Sequence, residues 1–299
     1  RDTDRSRGLG DVYKRQMLTS KSNGIYATKG STTLNSSAGN SIYAGDIVKN
    51  VAGTIKYGTK SAIHAFGGGK GENVTNVNLT TGKENYLLGA VYATGRAEKV
   101  TGPDADLNKY ATKVILDGAT NKVYSYTEIA GAGDINTTED VIDGETNKFF
   151  GKRFISALYA EDGANIELTG ENKIGTWANS KDANTLERTV WAYSSDDTIG
   201  SSISFDGAVQ IGTDSYSVSP NSADVAIAAG TATDLTKNDV VGFNGERSTV
   251  TIEYDDFSDD TGSSISGDIL SAYAGQVDIA GKSADAGIKI TGNLLAGNN

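Results

Sequence analysis

Residues 158–175 of this chain are Leu-Tyr-Ala-Glu-Asp-Gly-Ala-Asn-Ile-Glu-Leu-Thr-Gly-Glu-Asn-Lys-Ile-Gly, three short apolar runs separated by turn residues. The first run is Leu158-Tyr159-Ala160, the second carries Ile166 and Leu168 in alternation with polar residues, and the third is centred on Ile174. Alternation with a period of two is typical of a β-strand whose successive side chains point to opposite faces. Three strands followed by a turn predict one coil of a three-sided stack.

The first run of this coil recurs along most of the chain as an aliphatic residue, an aromatic ring and an alanine. The copies are Ile25-Tyr26-Ala27, Ile42-Tyr43-Ala44, Ile63-His64-Ala65, Val91-Tyr92-Ala93, Leu158-Tyr159-Ala160, Val190-Trp191-Ala192 and, shifted by one position, Ala272-Tyr273-Ala274. Val123-Tyr124-Ser125 is a near relative. A strand unit that recurs in this way indicates a stacked repeat architecture. The sequence therefore predicts an all-β chain, a parallel β-helix (β-solenoid) with three strands per coil and roughly nine coils at about 4.8 Å per rung.

The aliphatic residues and alanines of the triplets are expected to fill the interior of this solenoid. Further inward pairs are predicted at Ile55 with Tyr57, at Val77 with Leu79 and at Val250 with Ile252, because one polar residue separates the two members of each pair.

Composition supports the all-β prediction and narrows the classes of partner. The chain has 37 glycines, two prolines and no cysteine, with a formal net charge of −11. Glycine, serine, threonine, asparagine and aspartate between short apolar runs are typical of many tight turns. An acidic chain is a poor partner for nucleic acid and for anionic lipid, which both favour basic surfaces. The sequence contains no run of about 18 apolar residues, which is the length that would predict a membrane-spanning helix.

Two kinds of segment interrupt the pattern. Residues 1–16 contain four of the eight arginines and are predicted to be a foreign or disordered N-terminal segment. The β-helix is predicted over 17–299, with loop insertions near 102–113, 131–152, 179–188 and 220–244, because insertions in solenoids map to the turns. The sequence ends at Asn299 without a recognisable cap, and we expect the chain to be a fragment.

The segment from Ile265 to Ile279, with Gly267-Asp268-Ile269 followed by alanine, glycine and Val277-Asp278-Ile279, resembles the coil of pertactin-like autotransporter (type V secretion) passenger domains. The resemblance extends more weakly over most of residues 20–299. It implies a right-handed parallel β-helix, display on a Gram-negative outer membrane, and adhesion to a host protein or glycan. A C-terminal translocator barrel is expected of that family, but its strands are absent from this chain, as is the Gly-Asp-Ser-Gly motif of the protease subgroup.

The expected function is that of a surface-displayed or secreted bacterial adhesin or structural stalk without catalysis, cofactor or metal. Two other functions stay open on the sequence alone. A β-helical polysaccharide lyase or hydrolase would need clustered acids with a basic residue or two carboxylates at a set separation. An S-layer-like coat would need only the scaffold.

The candidate binding residues are the rings of the triplets, Tyr43, His64, Tyr92, Tyr159, Trp191 and Tyr273. If the aliphatic residues point inward, these rings form a column outside the tube, either as a stabilising stack or as a ligand-facing surface. The opposite register would bury the rings in the interior. His64 is the sole histidine, so a Ser-His-Asp triad or a zinc site has little support. The acidic residues between Asp255 and Asp260 could bind calcium or simply face water.

Overall fold

A computed structural model describes residues 16–28, 30–49, 55–66, 75–95, 112–127, 139–142, 145–148, 153–178, 185–193, 200–212, 225–230, 247–259, 261–272 and 274–296. All regular secondary structure in these ranges is β-strand.

The first half of the chain contributes strands β1 Gln16–Ser20, β2 Ile25–Thr28, β3 Ser31–Asn35, β4 Asn40–Ala44, β5 Ile47–Lys49, β6 Lys56–Gly58, β7 Ser61–Phe66, β8 Thr75–Leu88, β9 Ala90–Thr94, β10 Thr112–Thr127, β11 Glu139–Ile142 and β12 Glu145–Lys148. The second half contributes β13 Arg153–Ile155, β14 Leu158–Glu161, β15 Asn165–Ala178, β16 Thr185–Tyr193, β17 Ser202–Asp206, β18 Val209–Ile211, β19 Val225–Ala229, β20 Ser248–Tyr254, β21 Ser263–Ser266, β22 Asp268–Ser271, β23 Gly275–Gly281, β24 Ile288–Thr291 and β25 Leu294–Ala296.

A nine-stranded sheet stacks most of the triplet strands in the order β2-β7-β9-β14-β16-β19-β22-β25, with β13 beside β16. Every pair in this order is parallel. The register places the aliphatic residues of successive strands directly above one another, as the column Ile25, Ile63, Val91, Leu158, Val190, Ile227, Ile269 and Leu294. We call this sheet the triplet sheet.

Apart from the hairpin β11–β12, the remaining strands belong to a fourteen-stranded sheet, which includes the antiparallel pair β5–β6. The long strand β8 pairs with β3 through its first half and with β4 through its second half. The long strand β10 stacks on β8, and β15 stacks on β10. In later coils two separate short strands replace each long strand: β17 and β18, then β20 and β21, then β23 and β24. Between consecutive triplet strands the chain therefore passes through two further segments. Parallel stacking of this kind is consistent with a β-solenoid.

The interior is filled from all sides by aliphatic side chains. Val77 with Leu79, Ile166 with Leu168, and Val250 with Ile252 are almost fully buried and belong to one apolar cluster with the aliphatic column of the triplet sheet. The residues between them, such as Glu167 and Thr251, point outward and are partly exposed. The inward prediction for Val77 with Leu79 and for Val250 with Ile252 is confirmed.

The predicted segment boundaries are only partly covered by the described residues. Residues 1–15 lie outside them, and Gln16 is the first residue of β1. Most of 102–113, 131–152, 179–188 and 220–244 also lies outside. The described parts are the beginning of β10, the antiparallel hairpin β11–β12, the first residues of β16, and β19.

Strand β19 lies within 220–244, where a loop was predicted. All five of its residues are buried, and it pairs in parallel with β16 and β22. The sequence pattern missed this strand because Ala228 occupies the position where other copies of the triplet carry a ring.

We predict that the interior side of β10 stabilises the protein and that the outer side contributes little. Leu116→Ala should lower the free energy of unfolding by about 2–5 kcal/mol, because it leaves a cavity among fully buried side chains. Ile115→Ala, on the opposite face of the same strand, is the matched control and should cost less than half as much. Urea unfolding of both variants measures the difference, and equal losses would contradict the assigned faces.

Candidate functional site

A column of rings runs along the triplet sheet, on the side away from the interior cluster. The register places Tyr26 beside His64, His64 beside Tyr92, Tyr92 beside Tyr159, and Tyr159 beside Trp191. Their centroids are 5.3, 6.3, 5.8 and 5.4 Å apart, each pair in an edge-to-face arrangement. Such contacts contribute about 0.5–1.5 kcal/mol each beyond the burial of area. Four of the six candidate residues, His64, Tyr92, Tyr159 and Trp191, thus lie together.

Most of this column is buried. His64 is 5%, Tyr159 2% and Trp191 5% exposed, whereas Tyr26 is 49% exposed. Tyr159 and Trp191 also pack against Tyr193 in a second apolar cluster outside the interior one. Burial raises the pKa of Tyr92 and of Tyr159 well above that of a free tyrosine, and the nearby Glu161 raises that of Tyr159 further. The geometry therefore favours a stabilising stack over an open ligand surface along these residues.

Tyr43 does not lie in this column. Its strand, β4, belongs to the fourteen-stranded sheet, where Tyr43 is registered beside Leu88 and its ring contacts that of Tyr86 at 5.9 Å. Tyr124 is also registered beside Leu88. The predicted single column is in fact two, because the same triplet pattern occurs on two sides of the coil.

Beyond Trp191, toward the C-terminal strands, the column contains no ring among the described residues. The register continues from Trp191 to Ala228, Leu270 and Leu295. Tyr273, the last candidate residue, lies outside the described residues.

A second aromatic cluster covers the outer side of β8, β10 and β15. Tyr57 enters it from the antiparallel hairpin β5–β6, with ring centroids 5.7 Å from Tyr124 and 5.8 Å from Trp177. Tyr57 is fully buried there, and Ile55 packs against the same cluster. The prediction that Ile55 and Tyr57 face the interior of the solenoid is wrong, because the hairpin folds back over the outside of the sheet.

A buried ladder of asparagines joins four successive coils at one corner. Asn40 Nδ2 donates to Asn85 Oδ1 at 2.8 Å, Asn85 Nδ2 to Asn121 Oδ1 at 2.8 Å, and Asn121 Nδ2 to Asn172 Oδ1 at 2.9 Å. Asn172 Nδ2 completes the series by donating to the Gly170 carbonyl at 2.7 Å and the Ala208 carbonyl at 3.3 Å. All four side chains are fully buried. Each of these amides donates a hydrogen bond to the next one along the ladder or, at Asn172, to backbone carbonyls.

Sequence reasoning missed this ladder, although a signal exists. Each asparagine follows a glycine by one to three residues, in Gly39-Asn40, Gly82 to Asn85, Gly118 to Asn121 and Gly170 to Asn172. Gly170 has a φ of +81°, and a Cβ there would stand 2.2 Å from the Gly118 carbonyl oxygen, so a larger residue is excluded.

A buried acidic corner lies where β14 ends and the chain turns toward β15. Glu161 and Asp162 are each only 9% exposed. The pKa of Glu161 is raised to about 8, chiefly by burial and also by the Asp162 carboxylate, while a hydrogen bond from Tyr159 acts in the opposite direction. This corner was not predicted, because neighbouring acids in a turn ordinarily face water.

The aspartates proposed for calcium accept backbone hydrogen bonds, two from their own loop and one from the segment between β23 and β24. Asp255 Oδ1 accepts from the Asp256 amide at 3.0 Å, Asp256 Oδ1 from the Gly287 amide at 3.2 Å, and Asp259 Oδ1 from the Thr261 amide at 3.1 Å. The bond from Thr261 lowers the pKa of Asp259. Asp260 lies outside the described residues. In the ranges that the structure covers, no group of three or more His, Cys, Asp or Glu could hold a metal ion.

Comparisons with protein-family models, with curated proteins and with solved structures gave no match to this chain. Within the described ranges there is also no helix of the length and apolarity that a membrane span requires.

We predict that the ladder is structural. Asn121→Ala should lower the free energy of unfolding by about 1–3 kcal/mol, because it leaves the amide groups of Asn85 and Asn172 without their shared neighbour. Asn76→Ala, on the partly exposed outer row of β8, is the control and should change it by under about 0.5 kcal/mol. Equal effects in thermal or urea unfolding would show that the ladder contributes nothing specific.

We also predict that the ring column stabilises the fold. Trp191→Ala should cost about 3–5 kcal/mol of unfolding free energy, because a buried indole with two aromatic neighbours is lost. Tyr26→Ala, at the exposed end of the same column, should cost under about 1 kcal/mol. A Trp191→Ala variant as stable as the parent chain would remove the case for a stabilising stack.

Proposed function

We propose that this chain is a surface-displayed, autotransporter-like β-helical passenger fragment from a Gram-negative bacterium, acting as a structural stalk or adhesin without catalysis. The single observation that carries the proposal is the continuous parallel pairing of the triplet sheet, which aligns one column of aliphatic residues from Ile25 to Leu294. A stack in which every rung is the template of the next can form one rung at a time, which suits a chain that folds after it emerges from a membrane pore.

The proposed architecture is a right-handed β-helix with three strands per coil and roughly nine coils, giving a rod on the order of 45 Å long. Support for three strands comes from the two segments of the fourteen-stranded sheet that separate consecutive triplet strands. Right-handedness is supported by the strong general preference of connections between parallel strands, about 98% of which are right-handed.

A stalk is favoured over a ring-based binding surface. The ring of His64 contacts that of Tyr92, and the rings of Tyr159 and Trp191 contact each other. His64, Tyr159 and Trp191 are at most 5% exposed. Charge pairs and polar contacts also connect coils on the outside, as between Lys113 Nζ and Glu167 at 2.7 Å and between Lys122 Nζ and Glu84 at 2.5 Å. If the chain is also an adhesin, its contacts with a host protein or glycan would come from the segments near 102–113, 131–152 and 179–188 and from the part of 220–244 that lies outside the buried strand β19.

A polysaccharide hydrolase or lyase is the second candidate, and the acidic corner is the observation in its favour. A carboxyl group with a raised pKa beside a second carboxylate is the usual requirement for general acid catalysis. Glu161 and Asp162 are, however, adjacent in the chain and almost buried, which disfavours their placement on opposite sides of a glycosidic bond.

Surface display tests the first proposal. The chain is fused between an export signal and a heterologous translocator barrel in a Gram-negative host, and external protease is then added to intact cells. We expect the parent chain to reach the cell surface and to leave a protease-resistant core. Leu116→Asp places a charge in the interior, so this variant should reach the surface but be degraded there. A folded chain that remains in the periplasm would contradict the passenger proposal.

Incubation with polysaccharides separates the two candidate functions. We expect the purified chain to release neither reducing ends nor unsaturated products from acidic or neutral glycans. If the parent chain releases product and Glu161→Gln does not, the hydrolase or lyase proposal replaces the stalk proposal.

A further inference from the structure

The acidic corner lies between two neighbouring coils, and both hold it through the backbone. The Gly95 amide donates to the Glu161 carbonyl at 2.7 Å from the coil before, and the Asp162 amide donates to the Tyr193 carbonyl at 3.3 Å on the coil after. Ser201 Oγ accepts from the Gly163 amide at 3.3 Å and donates to the same Tyr193 carbonyl at 2.7 Å. Opening this corner would therefore loosen contacts with both neighbouring coils.

The backbone of the corner is strained and closely fitted. Asp162 has a φ of +44°, a conformation that non-glycine residues adopt rarely and at a cost. A Cβ on Gly95 would stand 1.7 Å from the Asp162 carbonyl oxygen, so the two segments approach as closely as glycine allows. A strained turn persists only while the surrounding contacts hold it.

The groups around Glu161 favour its neutral form. Glu161 is almost buried and is registered beside Thr94 on β9 and beside Tyr193 on β16. A hydrogen bond from Tyr159 of its own strand favours the ionised form, but burial and the Asp162 carboxylate outweigh it. Among the described residues, Asp162 and Tyr159 act on the Glu161 carboxyl, and Glu161, Tyr193, Asp162 and Tyr92 act on the neighbouring Tyr159. Thr94 Oγ1 is buried, has no hydrogen-bond partner, and lies in the register position next to Glu161.

We propose that Glu161 is a proton-dependent latch: when neutral it lets the corner between β14 and β15 close against the neighbouring coils, and when ionised it opens that corner. The proposal is independent of surface display, since it concerns a local opening within the folded chain. An ionised Glu161 in the closed corner would lack solvent and face the Asp162 carboxylate, whereas opening gives it water.

The direction of the pH dependence follows from the pKa of Glu161, which is about 8 in the closed corner against 4.5 for a free glutamate. A raised pKa means that the stabilising effect of the proton is complete below about pH 4.5 and is lost as the pH rises through about 8. The equilibrium constant for opening should therefore rise by up to about tenfold per pH unit within this window and level off above it.

Hydrogen exchange of the purified chain between pH 5 and 9 tests the latch. After correction for the intrinsic exchange rate, the amides of residues 161–164 should lose protection by up to about tenfold per pH unit until about pH 8. Glu161→Gln keeps the shape of the side chain but cannot ionise, and its corrected protection should be independent of pH. Glu167→Gln is the matched control, because Glu167 is a partly exposed acid on the adjoining strand paired with Lys113, and it should behave as the parent chain does.

Asp162→Asn keeps the proposal testable if Glu161→Gln does not fold. Removal of the repelling carboxylate should lower the pKa of Glu161, so the loss of protection should level off at a lower pH than in the parent chain. Asparagine also tolerates a positive φ. Identical pH profiles for the parent chain and Glu161→Gln, or an unchanged profile in Asp162→Asn, would overturn the latch.

Discussion

The parallel register between successive coils is the constraint on which the rest of this structure depends. Because most strands pair with their counterpart one coil later, equivalent positions lie directly above one another, and a residue type that recurs at one position forms a column. An aliphatic position becomes a continuous interior, a ring becomes a stack, and an asparagine becomes a hydrogen-bonded ladder. Small contributions then add along the axis, as expected of a solenoid whose coils contact only their neighbours.

The columns differ in how they tolerate interruption. The ring column passes from Trp191 to Ala228 without loss of register, since an apolar cluster with Val225 and Leu270 takes over the packing. The asparagine ladder ends at Asn172, where the next coil has Val209, and the last amide turns to the Ala208 carbonyl instead. A buried amide must find such a partner, whereas an apolar side chain needs only volume.

The alternation of Ile166 and Leu168 and the recurrence of the triplets were sufficient to predict an all-β chain of stacked parallel strands, because periodicity and register are both properties of sequence spacing. The side of the coil on which a strand lies, and the cluster in which its side chains are buried, were harder to predict. Ile42-Tyr43-Ala44 has the same pattern as the copies in the triplet sheet but lies on another side of the coil, and Tyr57 reaches its cluster through a hairpin that the spacing did not reveal. The Glu161 corner depends on how closely Gly95 and Tyr193 approach it, which is a property of three coils together.

Engineered cysteine pairs test the parallel register most directly, since the chain contains no cysteine of its own. Ser204 and Thr251 are register partners on the outer side of β17 and β20, so the double variant Ser204→Cys with Thr251→Cys should form an intramolecular disulfide under mild oxidation. The pair Ser202→Cys with Glu253→Cys, which would be adjacent only in an antiparallel arrangement, should not. Rapid crosslinking of the second pair, or none of the first in a folded chain, would contradict the stacked parallel architecture.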